Sequence, residues 1–288
     1  MKWIIKLLKF VLWSGLAGLF LGAIGAAAIY YHLAPQLPDT ENLKNVQFQV
    51  PLRIYSSDQK LVAEYGEKRR IPLEYQDVPE QMIQAFLAAE DDRFFVHPGV
   101  DYQGILRAAI QLALTGERRQ GGSTITMQVA RNFYLSSEKT FTRKINEILL
   151  SFKIESDLSK EQILALYLNK IYLGHRAYGV GAASQVYYGK TVDQLNLAQI
   201  AMIAGLPKAP SRFNPIADPD RALIRRNYVL NRMQELGFIT PAEYVTAETQ
   251  PVSAKIHSAQ SEVEAPYIAE MVRAKMFEKY GSNAYTDG

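Results

Sequence analysis

Residues 89–101 read AEDDRFFVHPGVD and place Glu90, Asp91 and Asp92 directly after an apolar run that is typical of a helix. Carboxylates at the C-terminal end of a helix oppose one another and the negative end of the helix dipole. These like charges, with partial burial beside the next aromatic residues, would raise the pKa of at least one carboxyl group, as a general base requires. The stretch predicts a catalytic carboxylate. A solvated acidic loop in which Arg93 pairs with Glu90 is an equally good alternative.

The composition is that of a folded protein with one large core or two smaller ones. The chain has 288 residues, of which 48% are hydrophobic and 21% are charged, so disorder is not expected. Its 32 basic and 29 acidic residues give a net charge of +3, which is too small to indicate nucleic acid as a partner. The sequence has no cysteine, which excludes disulfides, catalytic thiolates and cysteine-ligated zinc. Its 4 histidines form no HExxH motif, and no histidine-based metal site is predicted.

The N-terminus contains a segment that is long enough to cross a bilayer. Residues 10–31 carry no charged side chain, and they follow the lysines of residues 1–9. Under the positive-inside rule these lysines would keep residues 1–9 in the cytoplasm and send the rest of the chain outward. A cleaved signal peptide, with a small-residue cleavage site at Ala26–Ala28, is the alternative. The length of the apolar run favours an uncleaved anchor.

The rest of the chain is expected to contain a stalk, a β-hairpin and a helical domain. Residues 32–50 are polar and contain prolines, which indicates a short stalk. Leu52–Tyr55 and Leu61–Tyr65 flank a turn at Ser56–Lys60 and predict a hairpin close to the membrane. From Pro79 onward, capping residues and helical periodicity predict helices almost throughout. The fold class is therefore mainly α, with a small β-element near the bilayer.

A glycine-rich turn precedes another predicted helix in residues 120–132, which read QGGSTITMQVARN. Backbone N–H groups at such a turn can bind an anion. Arg118, Arg119 and Arg131 add positive charge nearby. An ordinary junction between a loop and a helix is the alternative, and the local pattern alone favours it.

Residues 140–155, which read TFTRKINEILLSFKIE, predict an amphipathic helix. Four apolar residues recur at helical spacing and are expected to face the core. They are Ile145, Ile148, Leu149 and Phe152. Arg143 and Glu147 would then lie on the opposite face. A solvated salt bridge between them is the default interpretation, although a basic residue before an acidic one is the less favourable order.

These stretches occur in an order that resembles a known enzyme family. EDDRFFVHPGVD, GGSTITMQVARN and RKINEILL are followed by LYLNKIYLG with AASQVYYGK, and then by AGLPKAPSRFNP. Their order and spacing resemble the peptidoglycan glycosyltransferase domain (glycosyltransferase family 51) of class A penicillin-binding proteins. The domain would comprise residues 51–248, and the anchor and the tail are similar to the 1a type. The resemblance implies a lysozyme-like helical domain with a smaller jaw that meets lipid and includes Gln111, Leu112 and Leu114.

The resemblance implies an enzyme that polymerises lipid II on the outer face of the bacterial cytoplasmic (inner) membrane. The growing lipid-linked glycan chain would be the donor and lipid II the acceptor. A β-1,4 link would form with inversion, and undecaprenyl pyrophosphate would leave. Membrane lipids and other membrane proteins of cell-wall synthesis are the further partners that the resemblance implies.

The family's functional residues are carried over position by position. Glu90 would be the general base, and Glu147 the second catalytic carboxylate, on the side of the donor pyrophosphate. The implied substrate-binding residues are Asp91, Phe94, His97, Thr124, Gln128, Arg131, Asn132, Arg143 and Lys144. Arg143 and Lys144 would neutralise the departing pyrophosphate, because a phosphate leaving group needs fixed positive charge. No cofactor is obligatory, and a divalent cation, Mg²⁺ or Mn²⁺, could assist.

The motifs of the transpeptidase half of such bifunctional enzymes do not occur in the sequence. SxxK is found at Ser57–Lys60 and Ser136–Lys139, but no SDN or KTG accompanies either. Residues 249–288 are expected to form a linker toward that domain, and the chain is expected to be a fragment of a longer protein.

Two other functions compete with the transferase. A lysozyme-like glycan hydrolase would use a glutamate as an acid, without a need for the cationic pair Arg143 and Lys144. A non-catalytic membrane scaffold would tolerate replacement of both Glu90 and Glu147. The cationic pair favours chemistry on a phosphate.

Overall fold

Helices dominate the computed structural model, which describes residues 2–66, 68–115, 122–135, 140–257 and 263–285. The mainly α fold class is therefore confirmed. The helices are α1 (Lys2–Leu33), α2 (Glu80–Glu90), α3 (Tyr102–Thr115), α4 (Ile125–Tyr134), α5 (Phe141–Asp157), α6 (Lys160–Lys170), α7 (Val180–Tyr188), α8 (Leu197–Gly205), α9 (Pro219–Glu235), α10 (Pro241–Glu248) and α11 (Pro266–Tyr280). The strands are β1 (Leu52–Tyr55), β2 (Leu61–Tyr65), β3 (Arg69–Arg70) and β4 (Ala177–Tyr178).

The strands form two small sheets. β1 and β2 make the predicted antiparallel hairpin, in which Leu52 pairs with Tyr65. β3 and β4 make a parallel pair, with Arg69 opposite Ala177. The second pair was not predicted, because strands of two residues are too short to show an alternating pattern.

The core of the helical domain surrounds α8. This helix is apolar on nearly all sides, and residues 198–205 are all buried. A helix of this kind needs neighbours around its whole circumference, and α2, α7, α9 and α10 supply them. Because α2 packs on both α8 and α9, its last residue, Glu90, lies next to two other helices of the domain.

Local capping signals determine several helix ends. Ser159 forms a capping box at the start of α6, and Thr240 forms one at the start of α10. Asp218 caps α9 by accepting a hydrogen bond from the backbone of residue 221. Gly237 follows α9 with φ of +74°, a conformation that glycine adopts without strain. These ends depend on residues within one turn of each other, so the sequence is sufficient to predict them.

The segment predicted as a stalk, residues 32–50, packs on the helical domain. Leu43 is only 3% exposed and belongs to the main core. The Tyr134 hydroxyl donates a hydrogen bond to the backbone carbonyl of Asp39 at 2.9 Å. The segment consists of short 3₁₀ turns and extended backbone, which show no periodicity that would reveal its buried side chains.

The predicted orientation of α5 is wrong. The buried residues of this helix are Glu147, Leu150, Ser151 and Ile154, whereas Phe152, predicted for the core, is 47% exposed. α5 also lies against the loop that follows α2, since a Cβ atom at Gly99 would be 2.9 Å from the Ser151 carbonyl oxygen. The periodicity of apolar residues gave the wrong face because it cannot count a carboxylate that is buried with cationic partners.

Two surfaces of the described residues are candidates for contact with lipid. Leu12–Gln36, most of which belongs to α1, is long and apolar enough to cross a membrane, a test that a signal sequence also passes. On α3 the exposed apolar side chains are Tyr102, Ile105, Leu106, Ile110 and Leu114. Of the predicted jaw residues, Leu114 is 81% exposed, and the side chains of Gln111 and Leu112 lie outside the described part of the structure.

Candidate active site

A cavity of about 280 Å³ lies beside the C-terminal end of α2. The end of α2, α3, the turn at residues 122–124, α4, the Pro207–Lys208 turn and α9 contribute its walls. Charged side chains of both signs line it. They are Glu90, Asp91, Asp92, Asp101, Arg107, Arg131, Lys208, Arg225 and Arg232.

Glu90 is a largely buried carboxylate in the wall of this cavity. Its side chain is 14% exposed, and its Oε1 atom lies 3.6 Å from Nη2 of Arg225. Gln128 Nε2 donates a hydrogen bond to the other oxygen, Oε2, at 3.0 Å. Burial raises the pKa of Glu90, and the Gln128 hydrogen bond and the positive charges of Arg225, Lys208 and Arg131 oppose this increase only in part. The pKa is thus shifted in the predicted direction.

The cause of this shift differs from the predicted repulsion between adjacent acids, because each neighbour of Glu90 has its own partner. Asp91 accepts hydrogen bonds from the Ile125 backbone N–H at 2.9 Å and from the His97 ring. Asp92 forms an ion pair with Arg232 at 2.8 Å. The three successive acids therefore lie in three different environments.

The alternative of a solvated acidic loop is also wrong. Arg93 does not pair with Glu90, and its Nη1 atom lies 3.2 Å from Oδ1 of Asp101. Asp91 is 8% exposed and His97 is 3% exposed. The loop is thus fixed by internal contacts.

His97 holds the loop after α2 through both nitrogens of its ring. Its Nδ1 atom accepts a hydrogen bond from the Gly99 backbone N–H at 3.1 Å. The hydrogen of the neutral ring is therefore on Nε2, which lies 3.0 Å from Oδ1 and from Oδ2 of Asp91. Phe94 is fully buried, and the Lys160 ammonium lies 4.5 Å from the centre of its ring. Phe94 and His97 are not among the residues that line the cavity, and their contacts hold the loop in place.

The predicted anion-binding turn is a helix N-terminus that the protein itself occupies. Thr124 caps α4 by accepting a hydrogen bond from the Met127 backbone N–H, and its hydroxyl donates to the Gly99 carbonyl at 2.5 Å. The backbone N–H of Ile125, the first residue of α4, donates to Asp91. The junction between loop and helix was thus predicted correctly, and Asp91 takes the place of an external anion. Arg118 and Arg119, also predicted to add charge here, lie outside the described residues.

Cations surround the second predicted carboxylate, Glu147. Its side chain is 1% exposed and lies 3.0 Å from Lys144 Nζ and 3.9 Å from Arg131 Nη1. Arg143 forms an ion pair and a hydrogen bond with it as well. Lys144 also donates to Ser123 Oγ at 2.7 Å. Glu147 is therefore the centre of a cluster, called here the cation cluster, that consists of Glu147, Arg131, Arg143 and Lys144.

The structure brings the cavity and the cation cluster together at Arg131. Arg131 lines the cavity, as do four other predicted residues, which are Glu90, Asp91, Thr124 and Gln128. Ser123, the partner of Lys144, lines it too. Asn132 is half-buried and is not among the lining residues.

Sequence reasoning missed Arg225, Arg232 and Tyr167 at this site. Arg225 is 6% exposed in the middle of α9. Its neighbours at helical spacing, Ala222 and Val229, are core residues, so an arginine at a core-facing position was a usable signal. Tyr167 lies within the LYLNKIYLG motif, but its residue type gave no signal of its own, because an aromatic residue in an apolar stripe is ordinarily a core residue.

No group of three or more potential metal ligands occurs in the described ranges. The three acids at the end of α2 and directly after it already have partners, namely Gln128 and Arg225 for Glu90 and the residues given above for Asp91 and Asp92. The residues present thus do not form a ready ligand set for a divalent cation.

The chain is similar to known proteins over nearly its whole length. A family model described as Transglycosylase matches residues 58–234. Penicillin-binding protein 1A of Pseudomonas aeruginosa is 54% identical over 286 residues, which are 98% of this chain and 34% of that protein. Penicillin-binding protein 1A of Escherichia coli is 52% identical over 283 residues, 98% of this chain and 33% of that protein. The chain therefore spans about a third of the length of the curated relatives it matches.

A crystal structure of penicillin-binding protein 1A from Haemophilus influenzae is also similar, at 35% sequence identity. The structural match covers 84% of this chain and 26% of that chain, with a TM-score of 0.47. The family model, in contrast, matches more than half of the chain. The resemblance seen in the sequence motifs is thus confirmed, and the chain belongs to the transglycosylase family.

Proposed function

We propose that this chain is a membrane-anchored peptidoglycan glycosyltransferase. It would polymerise lipid II into β-1,4-linked glycan chains and release undecaprenyl pyrophosphate. The observation that carries the proposal is the pairing of Glu90, a buried carboxylate with a raised pKa, with a cation cluster at the same cavity. Membership of the transglycosylase family supports the same activity.

In the proposed reaction Glu90 is the general base. It removes the proton from the attacking hydroxyl of the acceptor sugar as that oxygen bonds to the anomeric carbon of the donor. The bond from this carbon to the pyrophosphate oxygen breaks, and the configuration inverts. A base with a raised pKa accepts a proton readily. Gln128 donates to Oε2, which leaves Oε1 as the oxygen that would take the proton.

The cation cluster would stabilise the leaving group. Arg131, Arg143 and Lys144 carry three positive charges around the single carboxylate of Glu147, an excess of two (three minus one). Negative charge develops on the pyrophosphate as it departs, and fixed cations stabilise that charge. Lys144 and Arg131 are the more accessible, with side chains 38% and 35% exposed. Glu147, buried beneath them, would orient the cations without touching the reacting atoms.

The cation cluster also separates the transferase from the hydrolase alternative. A glycan hydrolase could use a carboxyl group with a raised pKa as its acid, so Glu90 alone does not distinguish the two reactions. A hydrolase releases no phosphate and has no use for a surplus of buried and half-buried cations. The positions of Arg131, Arg143 and Lys144 therefore favour transfer from a pyrophosphate donor.

We also propose that α1 anchors the domain to the bacterial cytoplasmic membrane, with residues 1–9 in the cytoplasm and the cavity on the outer side. The lysines that precede the apolar run support this orientation. Membrane lipids are then partners by necessity, and the exposed apolar face of α3 would meet the same bilayer. Contacts with other membrane proteins of cell-wall synthesis remain a prediction of the resemblance.

The experiment is a polymerisation assay on purified lipid II with the full chain in detergent, in which glycan polymer and hydrolysed sugar are resolved. Glu90→Gln should reduce polymer formation by about a hundred- to ten-thousand-fold, and it should still bind a phosphoglycolipid that mimics the donor. Glu80→Gln, at the exposed opposite end of α2, is the matched control and should be fully active. Substantial activity of Glu90→Gln, or sugar released in place of polymer, would refute the proposal.

A further inference from the structure

Two successive hydrogen bonds connect the interior of the domain to Glu90. Gln128 Nε2 donates to Glu90 Oε2 at 3.0 Å, and the Tyr167 hydroxyl donates to Gln128 Oε1 at 3.4 Å. The three residues come from α2, α4 and α6, and Tyr167 is fully buried. The amide of Gln128 is thus held from behind by a phenol that has no contact with the cavity.

We propose that Tyr167 is a positioning residue for glycosyl transfer, which holds the Gln128 amide with its NH₂ group toward Glu90. The proposal rests on the proposed role of Glu90 as the base. It assigns to Tyr167 no contact with substrate and no transfer of a proton.

The reason lies in the two orientations that a glutamine amide can adopt. While Glu90 is ionised, it favours the NH₂ group as its neighbour. Once Glu90 has accepted a proton, its new O–H could donate to Oε1 of a reversed amide. That reversal would stabilise the protonated form and delay the return of Glu90 to the carboxylate needed for the next sugar.

Tyr167 opposes this reversal. Within the described part of the structure, the Tyr167 hydroxyl donates its hydrogen to Gln128 Oε1. A reversed amide would leave the hydroxyl hydrogen without a partner in the interior, which is unfavourable. Burial raises the pKa of Tyr167 well above its usual value, so the phenol keeps its hydrogen and acts as a donor throughout.

The other charged groups around Glu90 are held by partners other than the Tyr167 hydroxyl, which donates to Gln128. Arg225 faces Glu90 from α9, Lys208 from the turn after α8, and Arg131 from α4. Asp91, the adjacent acid, is held by Ile125 and His97. A change at the Tyr167 hydroxyl would therefore reach Glu90 through Gln128.

The test is Tyr167→Phe in the full chain, which removes the hydroxyl and keeps the ring that packs edge-on against Phe86 at 6.0 Å. The acid limb of the pH profile of kcat for lipid II polymerisation should move upward by roughly half to one pH unit. KM for lipid II should change little. A ¹³C-NMR titration of the Glu90 carboxyl, assigned by its loss in Glu90→Gln, should show the same upward shift without any assay of activity.

Tyr187→Phe is the matched control. Tyr187 is 1% exposed, its hydroxyl donates to the Leu173 carbonyl at 2.8 Å, and it is not among the residues lining the cavity. Both variants lose one buried hydrogen bond, so both should lower the thermal midpoint by a similar amount. Only Tyr167→Phe should move the acid limb. An equal shift in both variants, or none in Tyr167→Phe, would overturn the proposal.

Gln128→Met gives a second measurement, because with Tyr167→Phe and the double variant it completes a double-mutant cycle. Without the amide, the Tyr167 hydroxyl has nothing to orient, so adding Tyr167→Phe to Gln128→Met should cause no further shift in the Glu90 titration. A further shift of the same size would overturn the proposal. If Glu90→Gln polymerises lipid II normally, the proposed function fails, whereas the NMR titration still decides the role of Tyr167.

Discussion

Lys144 Nζ lies 3.0 Å from Oε2 of Glu147, and the side chain of Glu147 is 1% exposed whereas that of Lys144 is 38% exposed. The carboxylate of this ion pair is therefore buried, whereas its ammonium group is partly exposed to solvent. Removing the exposed cation leaves a buried carboxylate that Arg143 and Arg131 still neutralise. Removing the buried carboxylate leaves three cations without an anion, which is the more unfavourable change.

Lys144→Ala should therefore keep the fold and weaken the interaction with the pyrophosphate donor. We expect a loss of unfolding free energy below about 1 kcal/mol and a strong fall in polymerisation and in binding of a donor-mimicking phosphoglycolipid. Arg143→Ala should also reduce polymerisation. The control is Lys153→Ala, on the same helix with the same 38% exposure and an ion pair to Asp39 at 3.9 Å. Equal activity of the Lys144 and Lys153 variants would place pyrophosphate stabilisation elsewhere.

Glu147→Gln should differ from Lys144→Ala in its effect on stability. We expect a loss of about 3 kcal/mol, because the cations remain close together without their carboxylate. Urea unfolding measures this loss. Phosphoglycolipid binding should also weaken, because the cations are no longer held in place by the carboxylate. Normal stability of this variant would show that the cation cluster does not depend on its central carboxylate.

Glu90→Gln should stabilise the protein at neutral pH while it abolishes activity. Burial raises the pKa of Glu90 in the folded state, so the unfolded state ionises first as the pH rises. The charged form then destabilises the folded state at pH above the raised pKa, and this penalty is absent below about pH 4, where both states are protonated. The thermal midpoint of Glu90→Gln should exceed that of the wild type at neutral pH and approach it at acid pH. A variant that is less stable at neutral pH would contradict this expectation.

Asp91→Asn should destabilise the loop that follows α2. Asp91 accepts hydrogen bonds from Ile125 N and from His97 Nε2, and an asparagine can direct only one oxygen at these donors. A buried donor without a partner costs about 1–3 kcal/mol, which urea unfolding can detect. Asp92→Asn is the control, because the side chain of Asp92 is 19% exposed and pairs with Arg232. It should lose less than half as much; equal losses would mean that the buried contacts of Asp91 contribute little.

A chain that lacks residues 1–31 should still bind liposomes, though more weakly than the full chain. The reason is the exposed apolar face of α3, where Leu106 is 61% and Leu114 is 81% exposed. Replacing both leucines with glutamine in the shortened chain should abolish binding in a flotation assay. Ile224→Gln, which removes an apolar side chain 70% exposed on α9, should have no effect. A shortened chain that does not bind liposomes at all would contradict a lipid-facing role for α3.

Much of the fold could be predicted because its signals are local. The hairpin bounds, the capping boxes at Ser159 and Thr240, and the junction before α4 each depend on residues within a few positions of one another. The order of the motifs was enough to indicate the family. The burial of residues 32–50 was not predictable, since irregular backbone has no period that would identify Leu43 as a core residue.

The sequence by itself determined the helical fold class, the positions of Glu90 and Glu147, and the presence of cations near them. Only the tertiary structure decided which charges meet. Glu147 turns inward because Arg131 of α4 and two cations of α5 neutralise it, and Glu90 lies between Gln128 of α4 and Arg225 of α9. The periodicity of apolar residues cannot predict such contacts, because burial of a charge depends on partners that helix packing supplies from distant parts of the chain.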